Sequence, residues 1–422
     1  MKENLQLQKN AKMHGITLIA LVVTIVVLLI LAGITISLVF SENGIIAKAR
    51  EAANKTNEVI INEQAQMNEV TAEMENMLNE TGGSETTPEE PEGCPAEEFE
   101  KWNGTSDEKV NAVQSTDTTP ITVPVPKGYT ASKVTGETTV EGGFVIYEGE
   151  EEVNDTNKDT AQTTRNQFVW VPVANPSEMY GRDENCKKWG KLYDFDENGI
   201  TPYNWTEKNG VMSITNATGN CEPDVVSSDS SNSVTLTQLE TEFNSMIASV
   251  EKYGGFYIGR YETGNLKEAE AVVVKNNSDI NNQTWYTMYN KSKGVAVNSN
   301  VTTSMIWGCQ WDAVMRWMYN SGDAEKKIYT YDSTGKGNYA GTQGSTNKAI
   351  PTGSNDTYAV NNIYDMAGNV RDWTIEAYNT YSRVSRGVYY NFNASSYPAS
   401  LRNLFSPTSS YSSNGSRLAL YM

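Results

Sequence analysis

Residues Ile16 to Phe40 form a run of 25 residues without a formal charge. As a helix rising 1.5 Å per residue, such a run spans a hydrocarbon core of about 30 Å. Lys2, Lys9 and Lys12 precede it. An excess of basic residues keeps a leader on the cytoplasmic side, so the remainder of the chain is expected outside. The formal charge of −19 disfavours nucleic acid or an anionic lipid surface as a partner, since both require clustered Lys and Arg. The single histidine, His14, also lies before this run. No imidazole is therefore available to a later folded domain, which removes most histidine-dependent acid–base chemistry.

The stretch KMHGITLIALVVTIVVLLILAGI resembles the leader of type IV prepilins. The resemblance implies cleavage between Gly15 and Ile16 by a prepilin peptidase, other pilins as partners, and a place in a pilus or as a single-pass anchor. The family usually carries Glu at the fifth position after the cut, where this chain has Ala20. A minor or non-polymerising role fits that difference. Residues 41–80 follow without a proline and place Ile45, Ala49, Ala52, Val59, Met67, Val70, Met74 and Leu78 mostly three or four apart. Such spacing predicts an amphipathic stalk helix. Gly, Pro, Ser, Thr and Glu then dominate a linker placed at 81–118.

A head is expected over 119–422. ITVPVPKGYTA, GGFVIYEG, NQFVWVPV and GGFYIGRYETG are short apolar runs bounded by turn residues, the pattern of strands. Two helical stripes stand out, one on Leu239, Phe243, Ile247 and Val250, the other on Trp307, Trp311, Val314, Met315 and Met318. Scattered strands, two helices and long loops predict an α+β domain. In order, FVWVPV, GGFYIGRYETG, WDAVMRW, NIYDMAGNVRDWT and RVSRG…SRLAL resemble formylglycine-generating-enzyme-like (sulfatase-modifying factor) domains of C-type-lectin-like fold, over 165–422. Enzymes of that family hold copper with a cysteine pair just after the RG of RVSRG, and a related branch holds iron with histidines. Here the last of four cysteines, Cys94, Cys186, Cys221 and Cys309, precedes that segment. No copper, iron or nucleotide is expected. For the cysteines, a Cys186–Cys221 disulfide and free thiols both remain open. The resemblance also implies a structural Ca²⁺ held by Asp365, the carbonyls of Gly368 and Val370, and Asp372, oxygen donors of the kind calcium takes. DFDENG, from Asp194 to Gly199, lacks the rest of an EF-hand loop and reads as a turn.

Between Gly387 and Asn414, Ser, Tyr and Asn supply 16 of 28 residues. Tyr offers a rigid contact area with a polar tip, and Ser and Asn add adaptable hydrogen bonds, the chemistry of antibody loops. The segment resembles the C-terminal region of retroelement-diversified lectin-fold variable proteins. The resemblance implies a binding face of Tyr389, Tyr390, Asn391, Phe392, Asn393, Ser396, Tyr397, Leu401, Asn403, Leu404, Phe405, Ser410, Tyr411, Ser412 and Ser413. Together these features describe a cell-surface adhesin or receptor that binds an extracellular protein or glycan and is not an enzyme. A structural minor pilin and an extracellular oxidase or protein-modifying enzyme of the formylglycine-generating family are the alternatives.

Overall fold

The computed structural model describes Cys94 and residues 109–114, 120–182, 185–186, 188–203, 211–213, 234–264, 272–278, 280–295, 301–340, 348–379 and 382–422. All belong to a unit spanning Glu90–Met422. The leader, the cleavage site Gly15/Ile16, the apolar run 16–40 and the stalk lie outside the described residues.

The centre of the domain is a six-stranded antiparallel sheet. Its strands are β1 (Tyr129–Ala131), β2 (Val145–Glu148), β3 (Gln167–Pro172), β4 (Gly255–Gly259), β5 (Thr302–Met305) and, from the end of the chain, Leu418–Tyr421. In space they run β5, Leu418–Tyr421, β4, β3, β2, β1. The inner strands read QFVWVP, GFYIG and LALY, with hydrophobic residues on both faces, because protein covers both sides of them.

Three helices pack round this sheet. The helix α1 (Leu236–Tyr253) starts in a capping box, where Thr235 Oγ1 accepts from Gln238 N at 3.2 Å and Gln238 Oε1 accepts from Thr235 N at 2.9 Å. It stops at Gly254, whose φ of 77° is left-handed. Leu239, Phe243, Met246, Ile247 and Val250 form its buried stripe. The second helix, α2 (Trp285–Ser292), stacks Trp285 on Tyr289. The third, α3 (Gly308–Tyr319), buries Trp311, Val314, Met315 and Met318, as their spacing predicts.

A second sheet carries the segment of interest. Its strands are β6 (Arg371–Asn379), β7 (Ser382–Arg386), β8 (Arg402–Phe405) and β9 (Asn414–Ser416), in the spatial order β8, β7, β6, β9. β6 and β9 are parallel, with Arg371 opposite Asn414. The Ser/Tyr/Asn-rich stretch therefore leaves β7, returns beside it as β8, and is held again at β9. DFDENG forms the turn between the strands Tyr193–Phe195 and Ile200–Pro202, with Asp196 Oδ1 accepting from Asn198 N at 2.7 Å.

Three expectations are corrected here. Among the described residues no helix is long and apolar enough to cross a membrane. The longest helix with a described face, α1, has 18 residues and is polar on one side. A domain led by a transmembrane or pilin-type helix, membrane partnership through such a helix, and placement at the cell surface or in a pilus thus have no described element to carry them. Among the cysteines, Cys94 pairs with Cys186, Cα to Cα 5.4 Å, and Cys309 is a buried free thiol. The expected partner Cys221 lies outside the described residues. Burial pushes the Cys309 thiol well up, so it stays protonated.

Candidate ligand-binding site

Strand periodicity builds the floor of the site. Residues two apart share a face of a strand, so Arg371 and Trp373 of β6 point one way and Asp372 the other. The Trp373 ring meets Phe405 at 6.0 Å and Tyr411 at 6.3 Å, and these two lie 4.8 Å apart. A second chain of rings runs from Tyr390 to Tyr389, Phe392 and Tyr397, with successive centroids 5.1, 5.0 and 4.8 Å apart. The Arg371 guanidinium joins the two groups, its central carbon 4.2 Å from the Tyr389 ring, 5.0 Å from Phe405 and 5.5 Å from Phe392. Contacts of this kind contribute about 0.5–1 kcal/mol each at exposed sites and more when dry.

Backbone contacts hold the rings in place. Gly387 turns the chain out of β7 with φ 69°, and a Cβ there would lie 2.5 Å from the carbonyl oxygen of Met366. Tyr390 N donates to Asn369 O at 3.1 Å, Ala340 N to Phe392 O at 3.2 Å, and Asn282 N to Tyr411 O at 3.1 Å. Of the other expected contact residues, Asn391, Asn393, Ser396, Leu404, Ser410 and Ser412 are exposed, while Leu401, Asn403 and Ser413 are half-buried. Asn393 is engaged in a turn, where Oδ1 accepts from Ser395 N at 2.8 Å and from its hydroxyl. Asn403 Nδ2 donates to Gly387 O at 3.1 Å. Of the six aromatic members of the expected face, three lie against the Arg371 guanidinium and three join through ring contacts, and the polar members lie about them or brace loops. Arg371 and Trp373 were missed as members. The signal for them lay inside NVRDWT, where an arginine and a tryptophan two apart on a strand must share a face.

The loop expected to bind calcium is differently occupied. Asp365 Oδ2 accepts from Thr352 Oγ1 at 2.9 Å and from Gly353 N at 2.8 Å. Asp372 Oδ2 meets Arg417 Nε at 3.0 Å. The amide of Val370 donates to Glu262 Oε1 at 3.1 Å, and Gly368 sits against the backbone of Asn338. Among the described residues no group of three or more His, Cys, Asp or Glu could hold a metal ion. The expected Ca²⁺ site on Asp365, Gly368, Val370 and Asp372 is therefore corrected: hydrogen-bond donors and a guanidinium satisfy the carboxylates instead.

Burial pushes Asp372 up to about 6, with Asp365 adding to the rise and Arg417 opposing it. Burial also raises Glu262 and Asp365. A carboxyl raised on folding contributes stability that is full below its unfolded value, near 3.8, and is lost as the pH climbs through about 6. The melting temperature is therefore expected to rise as the pH falls from 7 to 5, and calorimetry at several pH values reads this directly. Asp372→Asn should flatten the dependence. A midpoint that falls over the same interval would contradict the assignment.

Behind the cradle lies a closed ring of four charges. Arg386 bonds Glu376 Oε2 at 3.0 Å and Asp312 Oδ1, while Arg402 bonds Glu376 Oε1 at 2.8 Å and Asp312 Oδ2 at 2.5 Å. The four residues belong to β7, β6, α3 and β8.

The family described as "Sulfatase-modifying factor enzyme 1-like domain" matches residues 310–422, which contain every ring of the cradle. No curated protein matches the chain. Among the solved structures that resemble it remotely are three with a TM-score of 0.31. They are CarF at 15% identity over 40% of this chain and 87% of its own, PvdO from Pseudomonas aeruginosa at 14% over 40% and 82%, and Treponema denticola variable protein 1 at 13% over 56% and 96%. Likenesses at this level add nothing to the assignment of an activity. The chain thus carries, near its C-terminus, a distant sulfatase-modifying-factor-like domain of α+β build.

That match also overturns two expectations about function. A chain whose C-terminal domain matches a family of enzymes cannot be set down as no enzyme. The picture of a pilin-anchored, non-catalytic binding head loses its anchor among the described residues and its non-catalytic premise to the same match.

Proposed function

We propose that this domain is a protein-modifying enzyme of the sulfatase-modifying-factor type, with the aromatic cradle round Arg371 as the surface that holds its polypeptide substrate. The observation that carries the reading is the coincidence of the family match, 310–422, with the segment that supplies all seven rings. Tyr and Phe rings fixed by backbone contacts present contact area at little entropic cost, the usual make-up of a protein-binding surface. The family's copper or iron does not fit the donors present. No cysteine follows Cys309, and the chain's one histidine is His14. No step is derived through either metal, and the residues are assigned to binding and orienting the substrate.

The finer likeness to retroelement-diversified proteins belongs to the same proposal. The Ser, Tyr and Asn content of 387–414 supports it, and sequencing the 3′ end of the gene across a population tests it.

For the enzymatic reading, the full chain is incubated in air with a defined peptide library, and the peptides are weighed by mass spectrometry. A mass change restricted to peptides the protein retains, and reduced at least tenfold in Tyr389→Ala/Phe405→Ala, is the expected result. Retained peptides of unchanged mass would leave a binding domain and overturn the enzymatic reading.

A further inference from the structure

Four arginines with buried side chains in this domain are paired with carboxylates. Arg260 meets Glu137 at 2.7 Å, Arg417 meets Asp372, and Arg386 and Arg402 share Asp312 and Glu376. Arg371 is different. It is 7% exposed, yet it makes no ion pair with a carboxylate among the described residues. Of its five N–H donors, Nη1 reaches Ser413 Oγ at 3.2 Å, and Nε is sealed without a partner. Its guanidinium also lies over the rings of Tyr389, Phe392 and Phe405.

An unpaired buried guanidinium costs stability, because burial penalises its charged form and leaves donors unsatisfied. Burial does lower its pKa, which the Tyr389 ring only partly opposes. Ring faces stabilise the cation but accept none of its planar N–H bonds. A carboxylate does both, and in surroundings this dry a two-pronged Arg–carboxylate contact is both strong and directional.

We infer that Arg371 is the specificity element of the cradle and takes a carboxylate of the bound polypeptide, flanked by aromatic or apolar residues that lie on the surrounding rings. The inference rests on the reading of the cradle as a polypeptide-binding surface and deepens it. Two sources supply the same chemistry, an acidic side chain within the peptide and a free C-terminal carboxylate.

Three short peptides separate the possibilities when titrated into the full chain and followed by calorimetry. They are acetyl-Tyr-Asp-Tyr-amide, its neutral counterpart acetyl-Tyr-Asn-Tyr-amide, and acetyl-Tyr-Asn-Tyr with a free C-terminal carboxylate. At least one carboxylate peptide should bind tenfold or more tightly than the neutral one, and the advantage should shrink with added salt. Which of the two prevails names the source. In Arg371→Gln that advantage should vanish while the neutral peptide keeps its own weak binding through the rings. Arg371→Lys should recover only part of it, because an ammonium lacks the planar fork. Equal binding of all three peptides by the unaltered protein would overturn the role of Arg371 and leave the polypeptide surface standing. Binding of none would overturn both. The comparison among peptides needs no variant, so a folding defect in Arg371→Gln does not blunt it.

Discussion

Asp312→Ala is expected to cost about 3–5 kcal/mol of folding stability, the range seen when one partner of a buried ion pair is removed. Asp312 is fully buried and its two oxygens are shared between Arg386 and Arg402, while Oδ2 also accepts from Tyr193 N at 2.9 Å. Without it, two guanidinium groups share the buried carboxylate of Glu376, and the half-exposed Asp194 at 3.6 Å from Arg402 is the other carboxylate near them. Coulomb repulsion and lost hydrogen bonds then act together, and neither group can move to water without opening the sheet. The position of the ring adds a local consequence. Arg386 ends β7 and Arg402 begins β8, so the ring clamps both ends of the excursion from Gly387 to Leu401. Amide exchange over that excursion should rise in the variant by more than the global loss alone produces. Urea unfolding reads the first effect and exchange followed by mass spectrometry reads the second. A stability loss below about 1 kcal/mol, the level of an exposed pair, would mean that the ring is not the clamp described.

Arg417→Met should be similarly damaging, again by about 3–5 kcal/mol at neutral pH. Its guanidinium bonds Asp372 and also donates to the carbonyls of Gly259 at 2.9 Å and Tyr364 at 2.7 Å. It thereby ties the central sheet to β6 and to the loop that precedes β6. Removing it leaves Asp372 beside Asp365 and Glu262 with no cation, and the raised pKa of Asp372 should climb further. The loss should therefore be partly recovered at pH 5, where the carboxyl takes a proton and no longer needs a counter-charge. That recovery separates this variant from Asp312→Ala, which deletes an anion, so that acid restores nothing to Arg386 and Arg402. Denaturant midpoints at pH 5 and pH 8 provide the test. An equal loss at both values would show that Arg417 acts by packing and not by charge.

Much of the scaffold was legible from local pattern. The stripe at Leu239, Phe243, Ile247 and Val250 became the buried face of α1, because 3.6-residue periodicity requires no knowledge of what lies opposite. The runs QFVWVP and GFYIG became inner strands for the same reason. The concentration of Tyr, Ser and Asn set 387–414 apart, since composition alone reports which residues build no aliphatic core. The order of motifs over 165–422 pointed to a sulfatase-modifying-factor-like domain, and the family match covers the C-terminal part of that span, 310–422.

What stayed hidden was the partner of each charged group. Asp365 and Asp372, seven apart around a glycine turn, have the spacing of calcium ligands, and the sequence cannot show that Arg417, Thr352 and Gly353 arrive there first. The same limit held for the disulfide, where a partner 92 residues away in sequence stands 5.4 Å away between α-carbons. Arg371 and Arg386 are both arginines on adjacent strands of one sheet, yet one is locked between two carboxylates and the other faces aromatic rings. Periodicity and composition act over a few residues and were settled by the sequence. Charge pairing acts between residues brought together from distant parts of the chain, and only the tertiary structure decided which arginine would face rings instead of carboxylates.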